Sequence, residues 1–300
     1  MGTLNAWAGG PEFDRITRGG LASSTEARLQ ELVGWGGFSS FMSPAALAIS
    51  ADAGIEPIGQ VVGLAVGSIL PGYLRTTRPG QGRARVGVAR WRERTGPLTA
   101  WTALRQRALA RLTQQARILG AGAVVGILAE REIVKHDSLE ESAAGGEYRF
   151  SGTAVRVRSW PRTAAPVLTL ASPQELWAML RAGLEPAGIA GAFASVETLP
   201  SRATVAASLG RRRSTPNVEL EDLTESVYEV RRLAMERLAA DARGLKAGGL
   251  LGVDLKLEDA DRGRLRHTLS VHVLASAVRR ARRTTLEPEP VLTLSDGARG

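Results

Sequence analysis

The chain contains no cysteine, only three lysines and three histidines, and few aromatic residues. Without cysteine there can be no disulfide, thiolate zinc site or cysteine nucleophile. Nowhere do about eighteen apolar residues run together, so a membrane-spanning helix is not expected. The N-terminal residues lack the basic and apolar regions of a secretory signal, and MGTLNA lacks the hydroxyl residue of a myristoylation site. These absences point to a cytoplasmic protein.

What is abundant is arginine. Lys135, Lys246 and Lys256 are the only lysines, so 36 of the 39 basic residues are arginine, and the formal net charge is +9. Such charge suggests a polyanion partner. The excess of Arg, Ala and Gly also fits a GC-rich coding sequence, so clustering is more informative than the total. Arg75, Arg78, Arg83, Arg85, Arg90, Arg92 and Arg94 crowd one Gly/Pro-rich stretch; Arg211, Arg212 and Arg213 fall in a second, and Arg279, Arg280, Arg282 and Arg283 follow the final strand. They are candidates for gripping nucleic acid, lipid headgroups or an acidic protein. Stacking aromatics are scarce beside them, Tyr73 and Trp91 being the nearby ones. Solvated loops are the plain alternative.

The strongest pattern is an internal repeat. At an offset of 129, Ser43, Gly54, Glu56, Pro57 and Gly59 fall on Ser172, Gly183, Glu185, Pro186 and Gly188. At an offset of 126, Ala108, Arg111, Leu112, Gly122 and Gly126 fall on Ala234, Arg237, Leu238, Gly248 and Gly252. Physical roles follow. Ser43 and Ser172 suit N-caps, with Pro44 and Pro173 in the first helical turn. Gly54 and Gly183 suit the left-handed position that ends a helix, and the Glu-Pro pair holds the chain extended. A strand is then expected over 58–69 or 187–199.

A longer helix follows, its apolar stripe running Leu98, Trp101, Leu104, Ala108, Leu112, Ala116, Leu119 in one copy and Leu220, Leu223, Val227, Val230, Ala234, Leu238, Leu245 in the other. Strands are expected over 123–134 and 148–158, and over 250–257 and 269–278, joined by polar loops. The fold class is α+β, with two tandem β-α-β-β domains, each an antiparallel sheet covered on one face by its long helix. The other face, or the sheet edges, then needs a partner. The domains span 38–158 and 166–281. Residues 1–37 form an N-terminal segment with an amphipathic run at 25–33 that packs on the first copy or a neighbour; 159–165 is a linker and 282–300 a flexible tail.

The phrases AGIEPIGQVVG, ARILGAGAVVGI and FSGTAVRV resemble the YbjQ family, labelled heavy-metal-binding. The resemblance spans both copies, the second departing further. It implies a dodecin-like β-α-β-β fold and ring-shaped pentamers, with sheets and short strands pairing between subunits, and it implies little about activity.

Chemical candidates are sparse. His136, His267 and His272 do not form a ligand set, since residues five apart on a strand point to opposite faces, and they are expected at the surface. Glu56 and Glu185 lack a nucleophile, base or phosphate loop, and a structural turn role with a salt bridge across subunits is expected. GAGAVVG at 120–126 follows a helix and enters a strand, the reverse of a dinucleotide fingerprint. No cofactor and no catalytic residue are expected. The reading is a non-enzymatic, self-assembling homo-oligomer, pentameric as the family resemblance implies; the alternative is a module that binds an anionic partner, and a metal-binding protein ranks behind both.

Overall fold

A computed structural model describes residues 10–69, 91–135, 144–160, 165–198, 201, 219–261 and 267–281. Two units succeed one another with the same element order. The first comprises α3 (Pro44–Asp52), β1 (Ile55–Ser68), α4 (Thr95–Ile118), β3 (Ala123–Lys135) and β4 (Ala144–Val157). The second comprises α5 (Pro173–Arg181), β6 (Leu184–Thr198), α6 (Glu221–Gly244), β7 (Gly249–Asp261) and β8 (His267–Arg280). Helices α1 (Pro11–Thr17) and α2 (Ser23–Trp35) precede them. Two short strands, β2 (Trp91–Glu93) and β5 (Val167–Leu168), complete two four-stranded sheets of order β1-β4-β3-β5 and β2-β6-β8-β7. All pairings are antiparallel except β3 with β5.

The local chemistry of each unit repeats. Ser43 Oγ accepts from Ala46 N at 3.2 Å, and Ser172 forms a full capping box with Glu175. Gly54 and Gly183 have φ of +68° and +71°, so each short helix ends in the left-handed region where a side chain would be strained. Strands β1 and β6 begin at Ile55 and Leu184, three residues earlier than the Glu-Pro phrase suggests. Proline is tolerated there because the register shifts between Pro57 and Gly59, and again between Pro186 and Gly188, so its missing N–H falls at a bulge.

Each long helix lies along its own sheet. On α4 the buried residues Trp101, Leu104, Ala108, Leu112 and Ala116 recur at three- and four-residue steps; on α6 they are Val230, Ala234, Leu238 and Ala242. Helix α4 sits so close to β1 that a Cβ on Gly63 would lie 2.0 Å from the Ala108 carbonyl oxygen. Helix α2 packs on the first unit, burying Leu29 and laying Leu32 over Gly59. It is held in place partly through α1, because the Arg111 guanidinium donates to the Ile16 carbonyl at 2.7 Å.

Candidate assembly interface

The two units are joined by an exchange of strands. From the first unit, β2 crosses to pair with β6, aligning Trp91, Arg92 and Glu93 with Thr198, Glu197 and Val196. Arg94 N donates to Ser195 O at 2.8 Å, and Arg92 pairs with Glu197 at 2.5 Å. Glu93 meets Arg237 of α6, whose other amino group donates to Phe193 O at 3.2 Å. In return β5, which leads into the second unit, lies along the outer edge of β3. Val167 N donates to Gly122 O and Thr169 N to Val124 O, both at 3.0 Å, while Gly126 N donates to Ala171 O at 2.7 Å. Gly126 has a φ of +59°, and this bulge turns its N–H toward the added strand. On its far side the segment is anchored by Ser276, which accepts from Leu170 N at 3.0 Å and contacts Thr169 Oγ1 at 3.1 Å.

Side chains seal the seam. Trp101 of α4 meets His272 of β8 edge-on, with centroids 5.4 Å apart, and Phe193 lies 4.3 Å from the same imidazole. Ile189, Phe193 and Leu274 of the second unit belong to one buried apolar cluster with Trp101, Tyr148 and Phe150 of the first. Arg105, buried on α4, forms an ion pair of 3.0 Å with Asp241 of α6; the same carboxylate accepts from Gly191 N at 2.8 Å. Arg131 on β3 pairs with Glu258 on β7 and lies over the Trp101 ring. This is continuous packing of the kind found within a domain core.

Burial holds the His272 pKa well below the usual imidazole value, and the nearby cations Arg131 and Lys256 push it further down. The ring is neutral and serves as a packing group. The expectation of surface histidines is therefore corrected for His272, which is buried because β8 is covered by Trp101 and Phe193. His267 lies at the start of β8, 3.0 Å from Asp259, and His136 lies outside the described residues. No group of three or more potential metal ligands occurs among the described residues. The buried imidazole faces two cations, a poor setting for a metal ion. The described residues thus do not fit a heavy-metal centre.

Glu56 and Glu185 are not aimed at a reaction centre. Glu56 faces Arg156 and Arg158 at 3.7 and 3.2 Å, and Glu185 pairs with Arg279 at 2.6 Å. These are pairs between neighbouring strands within one chain. Antiparallel register puts Glu56 opposite Arg156 and Glu185 opposite Arg279. Arg92 and Arg279, both considered as anion-binding candidates, are already engaged by carboxylates, and Arg280 is exposed at the end of β8. Arg75, Arg78, Arg83, Arg85, Arg90, Arg211, Arg212, Arg213, Arg282 and Arg283 lie outside the described residues. Pro57 and Pro186 sit at the strand bulges; Gly122 and Gly248 donate to Val155 O and Val278 O at 2.9 and 2.8 Å.

Two clefts open between β3 and β7. One of about 270 Å³ is lined by Arg131, Tyr148, Asp254, Lys256, Glu258 and His272. The other, of about 610 Å³, is lined mainly by apolar groups including Ile127, Leu128, Leu170, Met179 and Leu251. Ser276 also lines the larger cleft, where its hydroxyl is taken up by Thr169 Oγ1 and Leu170 N. Sequence reasoning missed β2 and β5, which carry the junction. A signal for β5 was present: the repeat extends upstream of the Ser-Pro pair, where VLTLASP from Val167 parallels FSSFMSP from Phe38.

Comparison with known proteins bears on this arrangement. Residues 94–158, which cover α4, β3 and β4, match the family model YbjQ_1, described as "Putative heavy-metal-binding". The chain is also similar to the encapsulin nanocompartment protein Rv1762c of Mycobacterium tuberculosis, at 27% identity over 249 residues, covering 81% of this chain and 86% of that one. A YbjQ-type segment is thus present in the first unit, and most of the chain has a counterpart in a protein named for a nanocompartment.

Proposed function

We propose that the protein is a non-enzymatic, self-assembling structural component, built from two YbjQ-like units and joining its copies head to tail into a ring. The single observation that carries this reading is the strand exchange. The YbjQ resemblance implies association by short strands lent between sheets, and one chain performs such an exchange once, internally. The long terminal strands are β1 in the first unit and β7 in the second, and among the described residues neither has a further strand on its outer edge. Exposed edge strands are templates for further pairing, and an interface between unlike surfaces repeats until a ring closes. Apolar side chains also stand exposed on these strands, with Leu64 and Val66 on β1 and Leu251, Val253 and Leu257 on β7. The similarity to an encapsulin nanocompartment protein supports an assembled state, and the YbjQ resemblance supports a ring of five chains with ten units.

The test is mass in solution: light scattering and electron microscopy of the purified protein should find closed multimers. A single chain at micromolar concentration overturns the reading.

A further inference from the structure

We propose that residues 38–42 of one chain add as a short parallel strand to the outer edge of β7 in a second copy of the same chain, recreating between chains the β5–β3 junction found within one. The proposal rests on the self-assembly reading above and names its interface.

The first observation concerns the donor. Phe41 N donates to Thr153 Oγ1 at 3.0 Å, Ser40 Oγ lies 3.3 Å from the same hydroxyl, and Met42 N donates to Ser40 Oγ at 2.9 Å. Leu170 N, Thr169 Oγ1 and Ala171 N make the same three contacts around Ser276 and Thr169, at 3.0, 3.1 and 3.2 Å. Residues 38–42 are therefore already held by their own unit in the way that residues 167–171 are held by theirs. Yet β5 lies on a neighbouring strand, and residues 38–42 are assigned to no strand in either sheet. Phe38 and Phe41 are 46% and 52% exposed, whereas Val167 and Leu170 in the equivalent places are half-buried. Two exposed phenylalanines on a tethered segment mark a surface prepared for burial.

The second observation concerns the acceptor. On β3 the bulge at Gly126 presents the N–H that Ala171 O accepts. Strand β7 keeps the same bulge, with Gly252 at a φ of +60° and a register shift between Leu251 and Asp254. It is the terminal strand of its sheet, and its side chains Leu251 and Val253 are 40% and 45% exposed. The receiving edge has the shape of β3 and, among the described residues, no strand upon it.

In this chain the segment does not fill that edge, being assigned to no strand in either sheet. Residues 39–41 are tied to the first unit by Thr153 and by the bond from Gln60 N to Ser39 Oγ at 3.1 Å. The occupant that matches by its place in the repeat and by its tethering contacts is the same segment of another copy. Transferring the internal register, Phe38 N donates to the partner's Gly248 O and Ser40 N to the partner's Leu250 O. The partner's Gly252 N donates in turn to Met42 O. Such a contact is heterologous, so every assembly that uses it throughout contains an even number of units and closes only as a ring.

Because the protein has no cysteine, single-cysteine variants give a clean test. Ser39→Cys and Leu250→Cys occupy the positions that pair if the register of Leu168 with Val124 is repeated. Mixed and oxidised, the two variants should form a covalent two-chain species that neither forms alone. Independently, the double variant Phe38→Asp/Phe41→Asp should weaken association about 100-fold or more through loss of buried apolar area, with the thermal midpoint of the separated chain unchanged. Multimers that neither cross-link in the mixture nor respond to the two aspartates overturn this interface while leaving self-assembly standing. A wild-type protein that is a single chain removes both.

Discussion

The two units have long helices of equal length on sheets of the same design, yet they bury different chemistry beneath them. In the first, Trp101, Leu104, Tyr148 and Phe150 fill the space between α4 and its sheet. In the second the corresponding layer is built largely from Ala190, Ala194, Ala234, Ala242, Ala275 and Ala277. The glycines follow this division. Gly63 is required because the α4 backbone presses on β1, whereas the equivalent residue under α6 is Ala192. Gly191 makes room of another kind, since a Cβ there would meet the ends of two side chains at 2.5 Å, Arg105 reaching in from the first unit and Leu274 of its own sheet. The first unit carries the bulky core and lends part of it across the seam. A duplicated backbone constrains where elements go, and the volume inside is free to diverge provided each layer stays filled.

This asymmetry can be broken most forcefully at Gly63. Gly63→Val should cost roughly 3 kcal/mol or more, because the new side chain forces α4 off β1. Ala192→Gly should cost about 1 kcal/mol or less. Chemical denaturation followed by circular dichroism compares them directly; equal losses would show that the two helices sit at the same height.

A smaller effect is expected at the polar bridge. In the first unit Gln115 serves both Val62 N and Val62 O, at 3.1 and 2.6 Å, and needs no cation. In the second, Asp241 occupies the same place, binds Gly191 N and relies on Arg105. Arg105→Leu alone should cost about 2 kcal/mol, since it leaves a partly buried carboxylate without its counter-charge. Adding Asp241→Gln should restore much of that loss by copying the first unit's solution. A double-mutant cycle in which the two changes simply add would refute the coupling.

The mildest effect depends on pH. His272 in the folded chain has its pKa pushed well below 6.5, so the unfolded chain takes up a proton near that pH and the folded chain does not. The contribution to stability is complete above about pH 6.5 and declines as pH falls, by roughly 1.4 kcal/mol per unit until the folded ring itself titrates. The first unit has Arg149 at the corresponding place on β4, where no such titration arises. His272→Phe should flatten the slope of thermal midpoint against pH between 7.5 and 5.5. An unchanged slope would show that another group governs it.

Much of the architecture was legible in the residues. Helix ends follow from Ser-Pro and Gly pairs, whose effects are local: a hydroxyl reaches a free N–H, and glycine accepts a positive φ. The stripes on α4 and α6 follow from helical periodicity. The junction was far less visible. A strand of two or three residues leaves no period to detect, and its pairing depends on a partner about a hundred residues away, as with Arg92 and Glu197. The burial of His272 was illegible for the same reason, because Trp101 and Phe193 come from other elements. The carboxylates at Glu56 and Glu185 were expected at turns but stand in the first residues of β1 and β6, one residue past the strand start, and their arginine partners depend on register.

The sequence alone settled that the chain contains the same pattern twice, because caps, glycines and apolar periods act over a few residues and survive duplication wherever the backbone does. Only the tertiary structure decided how the two halves meet. Which edge receives β2, which receives β5 and which stays bare depend on distant backbone groups finding one another, and those N–H and C=O groups are the same on every non-proline residue.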